Sequence, residues 1–143
     1  MFEYKVKLER TQVSEDTIRF NSTSAVSDLL VSRFGMREEA QEVSYLITLD
    51  SSLNVIGFQL LSRGGLSQTT VDLIVLFRSV FLSGSSRFII THNHPTASAE
   101  PSYDDIKLTE EIKKMAQTLH LQFLDHIIVG VTDTYSFAEH DLI

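Results

Sequence analysis

Two histidines, His92 and His94, stand two residues apart at the end of a segment that predicts a β-strand. Side chains at this spacing point to the same face of a sheet, so both imidazoles could bind one ion. His-x-His alone is a weak signal, because two surface histidines explain it more often. The chain has no cysteine, so any transition metal has to be held by His, Asp or Glu.

A second polar group, Ser102-Tyr-Asp-Asp105, precedes an amphipathic helical pattern. Ser-x-x-Asp at this place is a capping box, in which Ser102 caps the helix and Asp105 reaches back to the backbone N–H of Ser102. Taken alone, this segment favours a helix cap over a metal ligand. Asp104 points about 100° away from Asp105 on a helix, which favours a solvated acid of the first turn.

The two groups together predict a metal site. A stiff loop with Pro95 and Pro101 joins them and can fold the helix start back over the strand end. Two histidines and one aspartate leave a fourth position for water, the pattern of a catalytic zinc site. Zinc lowers the pKa of its bound water to about 7, and a nearby carboxylate is still needed to move the proton.

The segment from His92 to Asp105 resembles the JAMM metalloprotease motif: His-x-His, seven residues, Ser, two residues, Asp. The sequence here is most similar to the RadC-like branch of the JAB/MPN superfamily. The residues that carry this similarity are His92-Asn-His-Pro95, Pro101-Ser102, Thr109 and Asp125-His-Ile-Ile-Val-Gly130. Glu42, before an upstream strand, stands where RadC-like proteins carry a glutamate. The similarity covers about Ser22 to Ile143.

This resemblance implies a cytidine-deaminase-like α/β core that holds one Zn²⁺ per chain. His92, His94 and Asp105 would be the metal ligands, Glu42 the general base and acid, and Ser102 a group that stabilises the oxyanion. The implied reaction is hydrolysis of a peptide or isopeptide bond in a protein substrate. Deamination is disfavoured, because it uses His-x-Glu with cysteine ligands. The alternatives are a DNA-repair-associated factor and a zinc-binding interaction module without catalysis.

Four further residues have open roles. Asp125 and His126 could orient a zinc-bound histidine, or they could serve the sheet alone. Asn93 and Tyr103 lie in the motif and could line the cleft. His120 and His140 are expected at the surface.

The elements that must position these residues alternate between strand and helix. Residues 1–143 are expected to form one domain, in which 1–21 is an extension or edge strand and 22–143 is the core. The pattern predicts an α/β fold with a central mixed sheet flanked by helices. The predicted strands are Tyr4–Leu8, Val43–Leu49, Val55–Leu61, Arg87–Thr91, Leu121–Val129 and a short strand or turn at Ser136–Phe137. The first predicted helix begins near Asn21–Thr23, the second covers Leu73–Leu82, and the third covers Leu108–Leu119.

The apolar character of Leu73–Leu82 extends over more than one helix face. This pattern favours a helix wedged in the core over a surface that faces an activating partner or a second copy of the chain.

The charge distribution disfavours a broad nucleic-acid surface. The net charge is −7, and residues 98–143 hold nine acids against Lys107, Lys113 and Lys114. Non-specific binding of nucleic acid needs clustered lysines and arginines. No membrane span and no secretory signal are visible, so a cytoplasmic location is expected.

Overall fold

Three helices and five strands alternate along residues 1–3, 9–12, 17–64 and 71–143, which are the part of the chain that the computed structural model describes. In chain order they are α1 Thr23–Phe34, β1 Val43–Leu49, β2 Val55–Arg63, α2 Leu73–Ser83, β3 Arg87–Asn93, α3 Tyr103–Thr118, β4 Gln122–Val129 and β5 Thr134–Ser136. The expected α/β class is thereby confirmed. The strand predicted at Tyr4–Leu8 lies outside the described residues, and the division at residue 22 stays a prediction.

The five strands form one sheet in the order β2-β1-β3-β4-β5. β1 runs antiparallel to both β2 and β3, β4 runs parallel to β3, and β5 runs antiparallel to β4. The sheet is therefore mixed, as predicted. A parallel pair needs a crossover connection, and here that connection carries α3 from the end of β3 to the start of β4.

Helices cover both faces of this sheet. On one face, α2 and α3 pack on the sheet through a cluster that includes Phe77, Phe88 and Ile112. On the other face, α1 packs through a cluster that includes Leu30 and Ile127. Alternation along β1 and β3 supplies residues to both clusters, because successive side chains point to opposite faces.

The apolar helix α2 is only half buried. Leu76, Phe77 and Val80 lie in the core, but Ile74 is 77% exposed and Phe81 is 54% exposed. The favoured interpretation of a helix wedged in the core is therefore wrong for its outer face. That this face meets a partner or a second copy stays a prediction. No helix in the described part of the chain is both long enough and apolar enough to cross a bilayer.

Backbone hydrogen bonds tie the loop between β3 and α3 to the turn that follows β4. The N–H of His94 donates to Val129 O (2.9 Å), and the N–H of Val131 donates to Ala97 O (3.1 Å). Gly130 lies between these two bonds. A Cβ atom added there would overlap the backbone of Ala99 and the carboxylate of Asp133, so the close approach requires glycine.

We expect Gly130→Ala to lower the free energy of unfolding by about 1–3 kcal/mol, because the loop backbone must move to admit the methyl group. Thermal and urea unfolding measure this change. Gly57→Ala in β2 is the matched control, since its added Cβ would meet Thr48 Oγ1 at an ordinary 3.5 Å. Equal stability of the two variants would show that the loop does not depend on this contact.

Candidate metal centre

Three side chains that the sequence predicted as metal ligands converge at one end of the sheet. The Nε2 atom of His92 lies 3.1 Å from Asp105 Oδ1 and 3.1 Å from His94 Nε2. The Nε2 atom of His94 lies 3.4 Å from Asp105 Oδ2. One possible ligand atom from each of the three residues lies within 4.8 Å of those of the other two. The proline-marked loop thus brings the start of α3 back over the end of β3, as the sequence predicted.

Both imidazoles present the same nitrogen to this group because their other nitrogen is already engaged. His94 Nδ1 lies 2.8 Å from Ser98 O, and a carbonyl can only accept, so Nδ1 carries the proton. His92 Nδ1 lies 2.9 Å from His126 Nε2. Two imidazole nitrogens and a carboxylate oxygen are ligands that suit a divalent transition metal, so the residues present fit such an ion.

Asp105 belongs to the helix cap and to the site at once. Its Oδ2 atom accepts from the backbone N–H of Ser102 (2.7 Å) and from the Ser102 hydroxyl (2.6 Å). The Ser102 Oγ atom in turn accepts from Asp105 N–H (3.1 Å). The Oδ1 atom remains directed at His92 Nε2. The segment taken alone favours a cap over a metal ligand, yet the two carboxylate oxygens allow Asp105 to serve as both.

Burial, hydrogen bonds and nearby charges shift the pKa values of Asp105 and His94. Burial alone would raise the pKa of Asp105, but hydrogen bonds from His92 and His94 outweigh it and hold this pKa well below its ordinary value. The hydrogen bond to Asp105 raises the pKa of His94, against the effect of burial. The negative charge of Glu42 raises it further.

Glu42 reaches this end of the sheet through strand register. Ser44 in β1 pairs with His92 in β3, so Glu42, two residues before Ser44, lies level with His94. The backbone carbonyl of Glu42 accepts from Gly64 N–H (2.9 Å), and its side chain is partly exposed. Its charge acts on His94, as expected of a carboxylate beside the site. Its role as general base stays a prediction.

Asn93 does not line the cleft as suggested, because its side chain is fully buried. Its Oδ1 atom accepts from Val43 N–H (2.7 Å), and its Nδ2 atom donates to Gln41 O (3.2 Å). The amide therefore clamps the chain on both sides of Glu42. Nothing in the sequence pattern indicated this contact, because it joins residues fifty positions apart.

The remaining sequence expectations concern residues near the loop and on the surface. Tyr103 is 80% exposed, and Asp104 is exposed on the first turn of α3. His120 and His140 are exposed, as expected. The hydroxyl of Ser102 donates to Asp105, so stabilising an oxyanion would require a change of partner, and this role stays a prediction.

Asp125 and His126 make separate sets of contacts. Asp125 serves the fold, since it accepts from Ser136 Oγ (2.6 Å) and Ala138 N–H (3.0 Å). Burial raises its pKa despite these bonds. His126 contacts the predicted ligand His92 (2.9 Å), and burial holds its pKa well below the ordinary value.

We expect Asn93→Ala to lower the free energy of unfolding by about 1–3 kcal/mol and to release the segment around Glu42, because it leaves buried backbone groups without partners. Amide hydrogen exchange at Val43 measures the release. Asn54→Ala is the control, since Asn54 makes its side-chain bond to Asp50 in the distant β1–β2 turn. Unchanged protection of Val43 in Asn93→Ala would contradict the clamp.

Comparison of the sequence with known proteins places this chain in a family. The sequence model of the RadC-like JAB domain matches residues 20–142. A UPF0758 protein of Psychrobacter sp. (strain PRwf-1) is 39% identical over 119 residues, which are 83% of this chain and 52% of that protein. A UPF0758 protein of Acinetobacter baylyi is 33% identical over 129 residues, which are 90% of this chain and 47% of that protein. The chain therefore spans about half the length of these curated relatives, and it belongs to the RadC-like JAB domain family of the JAB/MPN superfamily.

Proposed function

We propose that this domain is a zinc-dependent hydrolase that cleaves amide bonds in peptides or in isopeptide-linked proteins. The observation that carries the proposal is the convergence of His92, His94 and Asp105 on one point. Membership of the RadC-like JAB family supports it. Two histidines and one aspartate leave a coordination position for water, which distinguishes a catalytic zinc site from a closed structural one.

His92, His94 and Asp105 would hold one Zn²⁺ per chain. When bound, the ion would make hydroxide available at neutral pH and polarise the carbonyl of the scissile bond. The three ligands are unequally shielded: the side chain of His92 is 4% exposed, whereas those of His94 and Asp105 are 16% and 13% exposed. A substrate would thus approach from the side of His94 and Asp105.

Glu42 would take a proton from the attacking water and return it to the leaving amine. Proton transfer by a positioned carboxylate contributes about 10²–10⁴-fold to the rate of such reactions. The register that sets Glu42 level with His94 supports this assignment. Ser102 would stabilise the oxyanion once its hydroxyl turns from Asp105 to the substrate oxygen.

The experiments below also distinguish two alternative functions. A zinc-binding interaction module would bind the metal and cleave nothing. A DNA-repair-associated factor would bind DNA in a salt-sensitive manner, and the net charge of −7 disfavours this. A cytoplasmic location, and an activating partner or second copy, stay predictions from the sequence.

The metal content of the purified protein tests the ligand set. We expect about one zinc per chain in the wild type by elemental analysis, and none in Asp105→Asn or in the double variant His92→Ala with His94→Ala. Asp104→Asn is the matched control, because it removes the neighbouring, exposed carboxylate. Well-folded wild-type protein that takes up no zinc would contradict the proposal.

The role of Glu42 is tested by hydrolysis of peptide and isopeptide-linked libraries. We expect Glu42→Gln to keep its zinc and to lose about 10²–10⁴-fold in rate, because only the proton carrier is removed. Glu38→Gln, a change at an exposed glutamate of the preceding loop, should leave the rate unchanged. Full activity of Glu42→Gln would refute its role. A zinc-loaded wild type that cleaves no library member would favour the interaction module.

A further inference from the structure

A string of buried polar groups leads away from His92 into the core. His92 Nδ1 lies 2.9 Å from His126 Nε2, and His126 Nδ1 lies 2.7 Å from Thr109 Oγ1. Thr109 Oγ1 lies 2.7 Å from the backbone oxygen of Asp105, one turn earlier in α3. The residues His92, His126 and Thr109 are 4%, 1% and 1% exposed. The four groups thus form a continuous hydrogen-bonded string, and its three side chains are closed to solvent.

The Asp105 carbonyl fixes the direction of every bond in this string. A carbonyl can only accept, so the single hydroxyl proton of Thr109 is directed at it. Thr109 Oγ1 must then accept from His126 Nδ1–H, and neutral His126 keeps its lone pair on Nε2. That lone pair accepts from His92 Nδ1–H. If the Thr109 hydroxyl instead donated to His126, Thr109 Oγ1 and Asp105 O would lie 2.7 Å apart with no proton between them.

The end of the string is the predicted metal site. With Nδ1 held in its protonated form, Nε2 is the His92 nitrogen that can offer a lone pair to a metal, and it lies 3.1 Å from Asp105 Oδ1. The ring of Phe137 stacks on the imidazole of His126, with a centroid distance of 4.7 Å and an interplanar angle of 8°. This stacking holds the orientation of the imidazole. His94, in contrast, relies on one bond to the loop carbonyl of Ser98.

We propose that Thr109 and His126 form a directed hydrogen-bond relay that presets His92 with its metal-binding lone pair on Nε2. Both residues are therefore positioning residues, because neither touches the ion. The inference rests on the metal-binding part of the proposed function. Partners of this kind typically change metal affinity about 10–100-fold when they are removed.

Two readouts on Thr109 variants test the relay. Thr109→Val removes the hydroxyl and keeps the shape, whereas Thr109→Ser keeps the hydroxyl. Two-bond proton–nitrogen correlation spectra of metal-free protein report which ring nitrogen carries the proton. We expect Nδ1–H for His92 and His126 in the wild type and in Thr109→Ser, and a mixture in Thr109→Val. Zinc affinity, measured by competition with a chelator, should fall about 10–100-fold in Thr109→Val and recover in Thr109→Ser.

Thr118→Val is the matched control within the same helix. Thr118 Oγ1 also donates to the carbonyl four residues earlier (Lys114 O, 3.0 Å), but it lies on the exposed side of α3. This variant should change neither the spectra nor the affinity. A Thr109→Val protein with wild-type spectra and affinity, or a wild type in which His92 Nδ1 carries no proton, would overturn the relay.

A second pair of variants covers the case in which Thr109→Val does not fold. His126→Gln offers an oxygen that can accept from His92 Nδ1–H, whereas His126→Leu offers none. We expect zinc affinity near that of the wild type for the first variant and at least tenfold weaker for the second. Equal affinities would overturn the relay. If the wild type binds no zinc, the proposed function fails, and the spectra of the metal-free protein still decide the relay.

Discussion

Strand β3 is hydrogen-bonded on both sides, antiparallel to β1 and parallel to β4, and the site depends on this pairing. The antiparallel partner brings the beginning of β1, and with it Glu42, level with the end of β3. The parallel partner places His126 of β4 two register positions from His92 and on the same face of the sheet, since His126 pairs with Ile90. A slip of one residue in either pairing would turn these side chains to the other face of the sheet.

The polar groups of the site remain in the core because nearly every one has a bonded partner. The amide of Asn93 hydrogen-bonds the backbone around Glu42, and the carboxylate of Asp125 accepts hydrogen bonds from Ser136 and from the chain after β5. A buried polar atom without such a partner costs about 1–3 kcal/mol. These contacts therefore hold the strand ends in place, and this fixes the position of the side chains of the candidate metal site.

Patterns that lie within a few residues were predictable from the sequence, whereas long-range contacts were not. The spacing of His92 and His94, the capping box at Ser102 and the strand and helix pattern are local, and the structure brings these residues together as expected. Glu42 came only through the family resemblance, because no local pattern links a residue to one fifty positions away. The burial of Asn93 depends on such tertiary contacts. The exposure of Ile74 does as well, because apolar periodicity does not reveal which side of a helix receives a neighbour.

The Asp105 carboxylate contacts both the candidate metal site and the beginning of α3. One oxygen holds the first turn through Ser102, and the other faces His92. An ion that fixes this carboxylate would therefore also stabilise the helix cap, and a change that frays the cap would leave the carboxylate without a fixed position. The backbone amides of the first turn of α3 should therefore report the occupancy of the site, with slower hydrogen exchange when the ion is present.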